Sequence, residues 1–156
     1  MAFPAYSTVY SVIGKIKEHF DNDDMVSKTT YGGISAIDIN KQNLFPLIHF
    51  NLLKIVPQDK IIRFDFILFA MDIMDISKDE VTDDFVGNDN LHDILNKMFV
   101  ILMKFRNEIV SGNFHDENID LYADMEMEPF TERFENALAG YTVPFSIYVP
   151  NEFNIC

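Results

Sequence analysis

Residues 61–73, IIRFDFILFAMDI, constrain the fold more than any other stretch of the chain. Read at period two, one face carries Phe64, Phe66, Leu68 and Ala70. The other face begins polar, with Arg63 and Asp65, and turns apolar at Ile67, Phe69 and Met71. That period marks a strand, because successive side chains point to opposite faces of a sheet. Where such a strand is apolar on both faces it must be covered on both, by another part of this chain or by another subunit. PLIHFNLLKIV at 46–56 is a second strand, and PQDK at 57–60 is turn chemistry between the two. The segment therefore predicts a long antiparallel hairpin at the centre of the fold.

The rest of the chain arranges itself around that hairpin. Residues 6–20 place Tyr6, Val9, Val12, Ile13, Ile16 and Phe20 on one helical face. Pro4 suits the helix start, the acidic run at 21–24 ends it, and Gly14 weakens it by about 1 kcal/mol relative to alanine, which packing must offset. YGGISAIDIN at 31–40 predicts a short strand after a glycine turn. A second, stronger helix follows Asp89 or Asn90, either of which can cap it. Its inward stripe is Leu91, Ile94, Leu95, Met98, Ile101, Leu102, Phe105 and Ile109, and Gly112 fits its end. Residues 118–130 alternate Ile119, Leu121, Ala123, Met125 and Met127 as a fourth strand. Residues 141–149 form the last strand, with Val143, Phe145, Ile147 and Val149 on one face. Pro144 cannot donate a ladder hydrogen bond, so this strand is expected to be an edge or bulged. The expected architecture is a single α+β domain over 1–156: a mostly antiparallel sheet flanked by two helices, in the order α-β-β-β-α-β-β.

Composition narrows the partners. The formal net charge of −13 opposes binding to nucleic acid phosphates and to anionic membrane surfaces. Cys156 is the lone cysteine, so an internal disulfide and a thiolate zinc site are both excluded, and synthesis in a reducing compartment fits. The N-terminal MAFPAYSTVY lacks the basic and apolar regions of a signal peptide. The most apolar segment, 61–76, carries four charges and is shorter than the roughly 20 apolar residues a bilayer requires. A soluble protein, intracellular when made, is expected.

Chemical motifs are sparse. The acidic connection at 75–89, with Asp72 just before it, offers Asp72, Asp75, Asp79, Glu80, Asp83 and Asp84 for a divalent metal or a carboxylate pair. A calcium loop needs glycine sixth and glutamate twelfth; counted from Asp75 these positions hold Glu80 and Val86, so the motif fails and a solvated loop is favoured. None of His19, His49, His92 and His115 has a metal-ligand spacing. His49 alternates with Asn51 on what reads as a half-exposed polar face. No phosphate-cradling loop, dinucleotide fingerprint or nucleophile elbow occurs. No catalytic residue, cofactor or metal site is nominated. Surfaces say more: Val100 lies almost opposite the inward stripe of the second helix, with Phe99 and Met103 on one flank. These side chains either pack within the domain or meet a partner.

Four segments carry a family resemblance: NLFPLIHFNLL, RFDFILFAMDIMD, NDNLHDILNKMFVILMKF and ERFENALAGYTVPFSIYVPNEFNIC. From about residue 31 to the end the chain resembles small neck and tail-completion proteins of tailed phages, tail terminators included, as found in phages of Bacteroidetes. Its most specific part is Ala139-Gly140-Tyr141, then an alternating strand, Val149-Pro150-Asn151 and the terminal Cys156. The resemblance implies a virion structural protein, made in the host cytoplasm, that forms a homo-oligomeric ring of six or twelve copies among other neck and tail proteins. DNA would pass through the opening without specific binding, and fixed negative charge suits such a channel. It also implies that TERFENALAGY brackets two strands. An edge strand left unpaired is a liability in a monomer, so the C-terminal edge and the outer flank of the second helix are expected to be the two sides of one head-to-tail contact. Phe99, Val100, Met103, Arg133, Phe134 and Tyr141 are the candidate interface residues. Two other readings stand beside it: a metal-assisted hydrolase using Asp72, Asp75, Asp79 and Glu80, and a monomeric acidic adaptor for a basic partner.

Overall fold

The computed structural model describes residues 8–33, 45–74, 90–133 and 138–153. Helix α1 (Val9–Asp21) begins at a reciprocal box: the Ser11 amide donates to Thr8 Oγ1 at 3.3 Å and the Thr8 amide to Ser11 Oγ at 3.2 Å. The box sets the start at Val9. Tyr6 lies outside the described residues, and Val9 sits at the surface and not in the inward stripe. Val12, Ile16 and Phe20 are fully buried. Gly14 faces open space, so no contact offsets its cost.

The hairpin forms as its alternation requires. Strands β2 (Leu47–Pro57) and β3 (Ile61–Ile73), in sequence order the second and third, pair antiparallel, with a bulge between Leu52 and Lys54. The first strand, β1, is Lys28–Tyr31 and runs parallel to β2. It therefore precedes the glycine turn, where 31–40 had been expected; residues 34–40 lie outside the described set. Its KTTY sequence has no apolar alternation. Pairing with Leu47–Phe50 makes it a strand, and the positive φ of Gly32 (125°) ends it.

Helix α2 (Leu91–Ser111) follows Asn90, whose side chain makes no capping bond but donates to the Ile73 carbonyl at 3.4 Å. Ile94, Met98, Ile101, Leu102, Phe105 and Ile109 are buried, as the stripe predicted. A single turn, α3 (Asn113–Asp116), leads to β4 (Asp120–Leu121), β5 (Glu128–Arg133) and β6 (Leu138–Pro150). The sheet order is β1-β2-β3-β6-β4, with β5 also paired to β6.

Two expectations change here. The strand expected over 118–130 is two strands, β4 and β5, paired to opposite ends of β6. And β6 is an interior strand, paired to β3 along its whole length and to β4 and β5 on its other side. Pro144 explains both. The Ser146 carbonyl accepts from the Tyr122 amide on the β4 side, so Pro144, two residues away, turns its missing N–H to that same side. The ladder to β3 loses nothing, while the other side breaks between the β5 and β4 pairings, opposite Pro144.

One sheet face carries the main core. Phe50, Phe64, Phe66, Leu68, Val143, Phe145 and Ile147 pack under α1 and α2. Phe105 joins the layers: its ring lies 4.7 Å from Phe20, 5.7 Å from Phe114 and 5.4 Å from Phe145. On the far face, Phe45, Leu47, Phe69, Met71 and Leu138 form a smaller cluster with Ile67, Ile73 and Phe130 against it. Phe69, Met71 and Leu138 are buried within the single subunit, so the second cover that the alternation required comes from this chain.

Candidate functional site

The helix α2 is buried on one side only. Phe99 is 46% exposed, Val100 37% and Val110 40%, and Met103 is half-buried between them along the outer flank. Phe99, Met103 and Val110 recur at i, i+4 and i+11, one stripe along the helix. The sequence left open whether these side chains pack inside the domain; the structure leaves Phe99 and Val100 at the surface.

Tyr141 is engaged inside the subunit. It stands opposite Ala70 in β3 and Pro129 in β5, and its hydroxyl donates to the Leu95 carbonyl at 3.0 Å, tying β6 to α2. Burial raises its pKa above the ordinary tyrosine value. Arg133 closes β5 opposite Leu138, so the chain from β5 to β6 is a hairpin, and Phe134 lies outside the described residues. With β6 interior, the sheet does not end at β6 as expected: among the described residues its outer strands are β1 on one side and β4 with β5 on the other.

Asp72, the next-to-last residue of β3, is half-buried, and its carboxylate accepts from the Ile73 amide at 2.8 Å. Asp75, Asp79, Glu80, Asp83 and Asp84 lie outside the described residues. Among the described residues no three His, Cys, Asp or Glu side chains are grouped to hold a metal ion, and no helix is long and apolar enough to cross a membrane.

The polar half of β3 forms a compact network on the far face. Asp65 accepts from the Ser146 hydroxyl at 2.6 Å, with Arg63 Nε at 3.1 Å and Lys54 Nζ at 3.7 Å. Arg63 lies 5.0 Å from the centre of the Tyr122 ring. Tyr122, and after it Asp65, raise its pKa above the ordinary arginine value. Each charge in this network has an opposite charge or hydroxyl beside it, which is what a carboxylate that is nearly buried requires.

His49 is 1% exposed, where the sequence suggested a half-exposed position. Its Nε2 lies 2.7 Å from the Gly32 carbonyl and its Nδ1 2.7 Å from Thr30 Oγ1. A carbonyl only accepts, so Nε2 carries the proton; in the neutral ring Nδ1 then accepts from the Thr30 hydroxyl. The ring clamps β1 onto β2. Burial lowers its pKa below the ordinary 6.5, although the Gly32 carbonyl acts in the opposite direction. A lowered folded pKa contributes stability that is fully present above 6.5 and is lost as the pH falls through the folded value. The urea midpoint should therefore decline as the pH drops below 6.5, and His49→Gln should flatten that decline. An unchanged slope in the variant would assign the acid sensitivity elsewhere.

A cleft of about 710 Å³ opens between the C-terminal halves of α1 and α2, floored by Phe114. Lys104 bridges it to Asp23 at 2.9 Å. His19 lies against Phe20, Phe105 and Phe114, and burial lowers its pKa even though Glu108 and Asp23 act to raise it. The sequence gave no sign of this cleft, because its walls come from residues about 85 positions apart on α1 and α2, with no shared motif.

No protein-family model matches this chain, and no curated protein matches it.

Proposed function

We propose that the chain is a ring-forming structural subunit of a tailed-phage virion, acting at the head–tail neck or the tail end as a tail terminator or completion protein does. The observation that carries this reading is the apolar outer flank of α2, where Phe99, Val100 and Val110 stand exposed beside Met103 on an otherwise acidic subunit. Contiguous exposed apolar side chains mark contact surfaces more often than single ones do. The resemblance of residues 31–156 to neck and tail-completion proteins supplies the biological setting. A net charge of −13 suits a wall past which DNA moves without adhering.

With β6 interior, the proposed head-to-tail contact has no free β6 edge to use. The reading keeps the α2 flank as one side and assigns its complement to another part of the subunit.

Val100→Asp tests the reading. Val100 is exposed, so the monomer should fold with a circular dichroism spectrum and Tm close to those of the parent. A carboxylate in an apolar contact is desolvated on assembly, which should shift the species seen by light scattering from ring to monomer. Normal assembly of the variant would remove the α2 flank from the interface. A parent chain that stays monomeric at tens of micromolar, alone and with neck and tail partners, would favour the acidic adaptor.

A further inference from the structure

We propose that the cleft between α1 and α2 is a binding site for a cationic, donor-rich head group, a guanidinium or amine, and this does not rest on the ring reading. The cleft's carboxylates, Glu18, Asp23, Asp24 and Glu108, outnumber its cations, Lys15 and Lys104. Burial holds His19 toward its neutral form, so the imidazole does not redress the balance.

The second observation concerns hydrogen bonds. Asp23 has a side chain only 5% exposed, and both of its partners, the Met25 amide at 2.9 Å and Lys104 Nζ at 2.9 Å, use the same oxygen, Oδ1. Among the described residues, Asp23 Oδ2 is buried with no hydrogen-bond partner, and so is His19 Nε2. A buried acceptor left bare is costly, and more so when it is charged. The bare Asp23 oxygen in the cleft lining therefore calls for an N–H or O–H donor, and the excess negative charge favours a donor that brings positive charge. A guanidinium offers five donors in a planar fork matched to carboxylates. Lys104, half-exposed over Asp23, is the side chain that must turn outward to admit it.

The head group could belong to a small free cation or to an arginine side chain of another protein, and the two are separable. The full chain is titrated with agmatine and with N-acetyl-arginine amide, followed by the imidazole resonances of His19 and the side-chain amides of Asn22 and Asn107. The uncharged isostere N-acetyl-citrulline amide is the control. Saturable shifts confined to the cleft, with at least one cationic probe and not with the citrulline amide, are the expected result. Saturation by agmatine alone points to a free cation; saturation by the arginine amide points to a partner's side chain. Asp23→Asn keeps the shape of the side chain and should weaken binding at least about tenfold, the loss of one charge-assisted hydrogen bond. Glu108→Gln should weaken it in the same direction, and Asp59→Asn, outside the cleft lining, should leave it unchanged. The proposal fails if neither probe saturates, which would mean that water alone supplies the donors. It also fails if the citrulline amide binds equally, or if Asp23→Asn and Glu108→Gln both bind as the parent does.

Discussion

Gly140→Ala should cost this protein about 3 kcal/mol or more, a large share of the roughly 5–15 kcal/mol that holds a domain of this size folded. Gly140 stands opposite Met71 in the β3–β6 ladder with φ at +157°, a backbone conformation that side chains disfavour. A Cβ built there would lie 1.8 Å from the Ala70 carbonyl oxygen and 2.9 Å from Met71 Cα. Both are backbone atoms of the central strand, so relief requires the two middle strands to separate. Urea denaturation of the variant checks this, with Gly14→Ala as the control. Nothing lies within 4 Å of a Cβ at Gly14, and alanine there should stabilise by up to about 1 kcal/mol. A Gly140→Ala midpoint within error of the parent would mean that β3 and β6 are not paired in this register. The Ala-Gly-Tyr step of the phage resemblance thus has a physical account: the glycine admits close strand approach, and Tyr141 locks the strand to α2.

Phe105→Ala should cost about 3–5 kcal/mol, the range for removing a fully buried aromatic side chain. Phe105 is 0% exposed and touches rings from α1, α3 and β6, so its loss opens a cavity where three elements meet and none can close alone. Phe99→Ala, six residues earlier on the same helix, should stay within about 0.5 kcal/mol of the parent in the monomer, because Phe99 already faces solvent. Thermal unfolding of the two variants at low concentration separates them. Equal losses would mean that Phe99 is buried in the monomer, and the α2 flank would then be core and not contact surface.

The sequence was most legible where burial repeats at the period of a single element. The β2–β3 hairpin and the inward stripe of α2, with Phe105 on it, follow from the order of residues within each segment. It was least legible where a strand owes its existence to a neighbour. The β1 strand, KTTY, carries no alternation of its own and is drawn into the sheet by Leu47–Phe50. Residues 118–130 alternate throughout, yet the ladder breaks opposite Pro144. Pro144 itself pointed to an edge strand, which holds only when a proline's empty side cannot be placed against a gap. The candidate contact residues divide in the same way: exposure on α2 was foreseen as one of two outcomes, while the inward bond of Tyr141 depended on where α2 lies above β6.

By itself, then, the sequence determined the α+β class, the central hairpin, the inward face of α2 and an acidity that opposes nucleic acid and anionic membranes, because periodicity and charge are properties of each segment or of their sum. Only the tertiary structure decided that β6 is interior, that Gly140 meets Ala70, that His49 is sealed between Thr30 and Gly32, and that Asp23 Oδ2 and His19 Nε2 are buried beside a cleft with no hydrogen-bond partner among the described residues. Each of those facts is a meeting of residues distant along the chain. Long-range pairing is fixed by the combined burial and hydrogen bonding of the whole sheet, which no single window of sequence contains.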